Sequence, residues 1–178
     1  MLGGRPPTLA DAPELVYVRA IFDEALRLYP PVPILPREAV REEYFRNVRI
    51  PKGSLIFVVP WLLHRHKKLW DKPDHFIPER FLPENSGAIS KFAYIPFSIG
   101  PRICAGMSFG LTEAILCLAT LAQKFKLRLQ PGYVVNPVCR LTLRPEGGMP
   151  MTILARMDFA DAVSNPAALT TDCPTHHG

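Results

Sequence analysis

No two of the four cysteines form a C-x-x-C pair, and none has a histidine at zinc-finger spacing, so a structural zinc site is not expected. No apolar run is long enough to cross a bilayer. The opening Met1-Leu2-Gly3-Gly4-Arg5-Pro6-Pro7 lacks the apolar stretch of a secretory leader, so the chain reads as soluble and cytoplasmic. Charge of one sign is never concentrated: 21 basic and 16 acidic side chains leave +5, with no basic block to serve as a nucleic-acid arm. There is no internal repeat.

What is present points to a folded unit. Hydrophobic residues make up 48% of the 178 and aromatics 10%, enough for a real core. Twenty prolines fall between short apolar runs, which predicts turns and irregular loop and argues against a helix bundle. The pattern Leu15, Val18, Phe22, Ala25, Leu26 has helical spacing after a start at Asp11-Ala12-Pro13-Glu14, and Tyr29-Pro30-Pro31 stops it. Short strands are expected at Val32–Leu35, Asn47–Ile50 and Leu55–Val59. The turn Ile50-Pro51-Lys52-Gly53 predicts that the second and third pair as a hairpin.

A brief helical piece is expected at Trp61–Lys68, then an ordered meander from Trp70 to Phe92 with no sustained period. Met107–Phe125 is apolar almost all round, the profile of a helix buried in a larger protein. Lys126–Leu129, Val138–Leu143 and Met149–Ala155 read as strands, the last two joined into a terminal hairpin by Pro145-Glu146-Gly147-Gly148. Cys117 and Cys139 lie in this region and read as small core residues. Residues 157–178, with Cys173, lose periodicity and read as a disordered tail.

The most informative stretch is Phe97-Ser98-Ile99-Gly100-Pro101-Arg102-Ile103-Cys104-Ala105-Gly106, running straight into the apolar helix. Gly100 and Gly106 suit a tight turn and close approach to a flat group, and Arg102 supplies a cation for a carboxylate or for a thiolate. Phe97 can shield the sulfur. A buried, unreactive cysteine beside a glycine turn is the plainer alternative. Phe97, Gly100, Arg102, Cys104 and Gly106 together match the haem-binding signature of the cytochrome P-450 family, which this stretch closely resembles. Two further motifs stand in the family's order. Glu24 and Arg27 form an E-x-x-R on one helix face, a pair that alone means little. Pro78-Glu79-Arg80-Phe81 follows it, and Cys104 comes last.

The resemblance implies a fold that is mainly α with small β-sheets (α+β), spanning about residues 1–156 and corresponding to the carboxy-terminal part of a full member. It implies haem b as cofactor, with Cys104 as axial ligand of the iron. Glu24, Arg27 and Arg80 would form a buried structural triad. Arg37, otherwise a solvated loop arginine, and Arg102 would hold the haem propionates; His64 is a weaker candidate. His64 and His66, beside Arg65, Lys67 and Lys68, equally suit a solvent-facing cluster, or a face where an acidic electron donor docks. Val32–Leu35 and part of Val138–Leu143 would contact substrate.

The implied activity is that of an oxidoreductase, a haem-thiolate monooxygenase. It would insert one oxygen atom of O2 into a lipophilic substrate, with electrons from a ferredoxin, flavodoxin or flavin reductase. The sequence has no Ala/Gly-Gly-x-Asp/Glu-Thr oxygen-activation motif, and a catalytically inactive remnant lacking the distal half is the alternative.

Overall fold

The computed structural model describes residues 2–156, so the expectations for the tail and for Cys173 lie outside the described residues. Helix and small sheets are mixed in an α+β arrangement. The expected first helix is divided. Leu9–Glu14 is a 3₁₀ turn, and α1 runs Val16–Leu28 after a break at Leu15 (φ −80°, ψ 47°).

Six residues of α1 are buried, and three of them, Asp23, Glu24 and Arg27, are charged. The buried surface combines these charges with the apolar Ala20, Leu26 and Leu28. It packs against the Pro78–Phe81 3₁₀ turn of the meander and, on another side, against the long helix from Met107 to Lys124. Between them lie the short helices α2 (Pro60–Leu63) and α3 (Pro83–Ser86), which makes the long one α4. Only Leu111, Ile115 and Ala119 of α4 are buried, and the latter two join Leu15 in a small apolar cluster with Val18 against it. Phe109 stays 74% exposed. Cys117 and Cys139 are also exposed, correcting their expected place in the core. Cys117 is two residues past Ile115 and therefore faces away from the packed stripe. Cys139 ends a strand of a two-stranded sheet.

The strands form four two-stranded antiparallel sheets among the described residues, and their pairing corrects the sequence reading twice. β1 (Leu35–Glu38) pairs with β4 (Leu55–Val58), while β2 (Glu43–Phe45) pairs with β3 (Val48–Ile50). The expected pairing of Asn47–Ile50 with Leu55–Val59 is absent. The Pro51-Lys52-Gly53 turn does form, with Gly53 at φ +84°, but its bonds extend the β1–β4 ladder. Gly53 N–H donates to Ala39 C=O at 2.7 Å, and Ala39 N–H to Ser54 C=O at 3.0 Å.

Val138–Leu143 is likewise not one strand. It splits into β6 (Pro137–Cys139) and β7 (Leu143–Pro145), which fold onto each other. β8 (Met151–Ala155) therefore pairs with β5 (Phe125–Leu129), not with its neighbour in sequence. Among the described residues no helix is long and apolar enough to cross a membrane.

Candidate functional site: the Cys104 loop and its supports

The loop before α4 is shaped by two left-handed residues, Ser98 (φ 65°) and Gly100 (φ 74°). Glycine adopts this region freely, whereas serine there is uncommon and marks local strain. Gly100–Arg102 then makes a single 3₁₀ turn, closed by Ile103 N–H donating to Gly100 C=O at 3.0 Å. Cys104 N–H donates back to Phe97 C=O at 2.9 Å, pinching the loop shut. Cys104 C=O accepts from Met107 N–H at 3.3 Å, so the cysteine sits where the chain turns into α4. Gly106 has an ordinary backbone (φ −85°, ψ 6°). What its missing side chain provides is room beside the sulfur: a Cβ there would lie 3.9 Å from Cys104 Sγ.

Cys104 is exposed. With Phe97, Arg102, Leu26, Val32 and Leu35 it lines a cavity of about 340 Å³. Arg37 projects from β1 to the same loop, its Nη2 donating to Ser98 Oγ at 3.1 Å. Leu143 and Cys139 line a neighbouring cavity of about 270 Å³ with Pro33, Ile34 and Trp61. Leu143 N–H donates to Pro31 C=O at 2.8 Å, tying the two regions expected to meet substrate.

The donor set fits haem. One cysteine sulfur, that of Cys104, lines the loop cavity, and no group of three His, Cys, Asp or Glu residues is arranged to hold a metal ion among the described residues. A lone thiolate suits a metal that brings most of its own ligands. Apolar walls suit a macrocycle, and two guanidinium groups at the loop suit its carboxylates.

The E-x-x-R pair is fully buried. Arg27 donates to both carboxylate oxygens of Glu24, from Nε at 2.7 Å and from Nη2 at 2.8 Å. Its other N–H groups reach the carbonyls of His64, Pro73 and His75 at 2.7, 2.7 and 2.9 Å. Glu24 Oε1 also accepts Ile77 N–H at 2.8 Å. Arg80 approaches that oxygen at 3.5 Å and donates from Nη2 to Lys72 C=O at 3.0 Å. The three residues thus meet in one cluster joining α1 to the meander.

Asp23, Arg19 and Tyr94 carry no motif that marks them in the sequence. Asp23 accepts the Tyr94 hydroxyl at 2.9 Å and Arg19 Nε at 2.6 Å. Burial, with Asp23 adding to it, pushes the Tyr94 phenol well above its ordinary range. His64, read as a weak propionate candidate or as part of a solvent-facing cluster, is buried instead. Its Nδ1 lies 3.2 Å from Arg27 C=O, and its Nε2 accepts Ile95 N–H at 2.9 Å, so it takes neither expected role. His66, Lys67 and Lys68 are exposed, while Arg65 stacks over Trp61 at 3.7 Å and faces Tyr29 at 5.7 Å.

An accessible cysteine thus lies on an arginine-flanked loop, backed by a buried Glu-Arg-Arg cluster on a helix-and-small-sheet frame. The model of the family Cytochrome P450 matches residues 1–150, and the chain belongs to that family. It is 39% identical over 143 residues to cyclooctatin synthase of Streptomyces melanosporofaciens, covering 80% of this chain and 31% of that one. It is 34% identical over 156 residues to pentalenene oxygenase of Streptomyces avermitilis, covering 88% and 35%. The crystal structure of the cytochrome P450DA heme domain superposes with a TM-score of 0.80 at 33% identity, covering 86% of this chain and 34% of that domain. The chain spans about a third of the length of these relatives.

Proposed function

We propose that the chain is the haem-binding portion of a cytochrome P450 monooxygenase that places one oxygen atom of O2 in a lipophilic organic substrate, with electrons from a redox partner. The observation that carries this reading is the exposed Cys104 on its closed loop, sharing an apolar cavity with Arg102. Haem b, when bound, supplies dioxygen binding and an iron whose thiolate ligand favours O–O cleavage.

In this reading Cys104 would hold the haem iron through its sulfur. Phe97 C=O orients its backbone through the bond at 2.9 Å, and Phe97 shares the cavity of the sulfur and limits water there. Gly100 gives the loop its turn, and Gly106 leaves the side of the sulfur clear. Arg37 and Arg102 pair with the propionates, and Ser98 orients Arg37. Glu24, Arg27 and Arg80 are structural: they fasten the meander to α1. Leu26, Val32 and Leu35 give the cavity an apolar lining, which supports a lipophilic substrate. The exposed His66, Lys67 and Lys68 suit docking of an acidic electron donor.

The carbon monoxide difference spectrum of the reduced, haem-loaded chain tests the reading. A strongly red-shifted Soret band is expected, and Cys104→Ser is expected to abolish it. An unaltered spectrum in Cys104→Ser would overturn the assignment.

A further inference from the structure

His64 stands at the end of α2, 0% exposed, followed in sequence by Arg65, His66, Lys67 and Lys68, and the haem reading gives it no task. Ile95 N–H can only donate, so Nε2, 2.9 Å away, must be the unprotonated ring nitrogen. The proton is then on Nδ1, which donates to Arg27 C=O at 3.2 Å. That carbonyl lies in the last turn of α1, where helix carbonyls lack intrahelical partners. Arg27 returns the contact, its guanidinium Nη1 donating to His64 C=O at 2.7 Å. Burial pushes the imidazole down to about 4, in keeping with a neutral ring.

The other end of this bridge is the root of the Cys104 loop. Ile95 C=O accepts Ser98 N–H at 3.1 Å, and Phe97 C=O accepts Cys104 N–H at 2.9 Å. Pro96 between them has no N–H to offer. Ile95 is itself buried, so its amide has no water to replace a lost partner.

We infer that His64 is a positioning residue for Cys104: its neutral ring, held by Arg27, fixes the Ile95 amide and with it the loop that carries the sulfur. The inference deepens the haem-thiolate reading and rests on it for its functional meaning. The His64 bridge shares Arg27 with the Glu24–Arg27–Arg80 cluster, whose own hydrogen bonds and ion pairs run to the meander, whereas the bond to Ile95 is made by His64.

The test compares three variants of the full chain. His64→Gln places an amide oxygen near the Nε2 position and keeps an acceptor for Ile95. His64→Asn places an amide N–H near the Nδ1 position and keeps only the bond to Arg27. His64→Leu keeps neither. Amide hydrogen exchange at Ile95 and Cys104 is the first readout, and it needs no haem. Asn and Leu are expected to accelerate exchange about tenfold at both amides, with Gln staying within about threefold of wild type. The second readout is the reduced carbon monoxide spectrum after haem loading, where Gln keeps the red-shifted band and Asn and Leu lose part of it.

Unchanged exchange at Cys104 in His64→Asn, or equal damage in Gln and Asn, would overturn the inference. If His64→Leu does not fold, the Gln–Asn pair decides alone. Failure of the haem reading shows separately, as an unaltered spectrum in Cys104→Ser, and leaves the exchange comparison standing.

Discussion

Asp23 Oδ1 accepts the Tyr94 hydroxyl at 2.9 Å across a separation of 71 residues, while the adjacent Glu24 holds the meander. Two neighbouring carboxylates on α1 thus grip two different segments, and the one gripped by Asp23 leads directly into the Cys104 loop. Tyr94→Phe removes this bond but keeps the ring against Phe81, whose centroid is 4.7 Å away. A hydrogen bond to a charged, nearly buried acceptor is worth about 1.5–3 kcal/mol, and Asp23 retains Arg19 as a partner. Tyr94→Phe is therefore expected to cost about 2 kcal/mol in urea unfolding. A cost under about 0.5 kcal/mol would show that Arg19 alone satisfies Asp23.

The Glu24 cluster predicts unequal losses. Glu24→Ala leaves the fully buried Arg27 guanidinium without a counter-charge, and removing one partner of such a pair costs about 3–5 kcal/mol. Arg80 sits farther from Glu24, at 3.5 Å, is 13% exposed, and its Nε has no hydrogen-bond partner. Arg80→Ala is accordingly expected to cost less than half as much. Haem retention, measured as the fraction of pigment surviving gel filtration, should follow the same order. Equal losses would mean that Arg80 is as tightly coupled as Arg27.

The pH dependence carries a sign that His64 fixes. Its imidazole titrates at about 4 in the fold against an ordinary 6.5, chiefly because burial disfavours the charged ring. Between those values the unfolded chain binds more protons than the folded one, so stability falls with acidification. The contribution is fully present above pH 6.5 and is lost as pH drops towards 4, on the order of 3 kcal/mol in all. His64→Gln cannot titrate. The stability difference between wild type and this variant is expected to shift by that amount from pH 7 to pH 4, and parallel curves would contradict it.

What the sequence disclosed and what it hid divide along the range of the interaction. The Cys104 loop, the long apolar helix and the Glu24–Arg27 spacing depend on residues close together in the chain, and their positions agree with the structure. Strand pairing does not have that property. β2, Glu43-Tyr44-Phe45, shows no strand pattern among its charged neighbours, and its two-residue turn to β3 puts Arg46 at φ 47° without a glycine to signal it. Once β2 takes β3, the Pro51–Gly53 turn can only deliver β4 to β1. His64 was hidden in the same way: Arg65, His66, Lys67 and Lys68 give its neighbourhood a solvated composition, and its burial is decided by Arg27 and Ile95, 37 and 31 residues away.

The two signature glycines of the Cys104 loop are expected to behave differently when each is replaced by alanine. Gly100 has φ +74° and open space around its would-be Cβ, so Gly100→Ala meets no clash and only the backbone penalty of the left-handed region, roughly 1–2 kcal/mol. Gly106 has φ −85°, and its would-be Cβ finds Cys104 Sγ at an ordinary contact distance of 3.9 Å. At that helix N-cap the exchange is expected to cost below about 1 kcal/mol. Any larger effect of Gly106→Ala should then appear in haem retention and not in the unfolding curve of the haem-free chain. If Gly106→Ala instead destabilises the haem-free chain more than Gly100→Ala does, the role given to Gly106, clearing space beside the sulfur, is wrong.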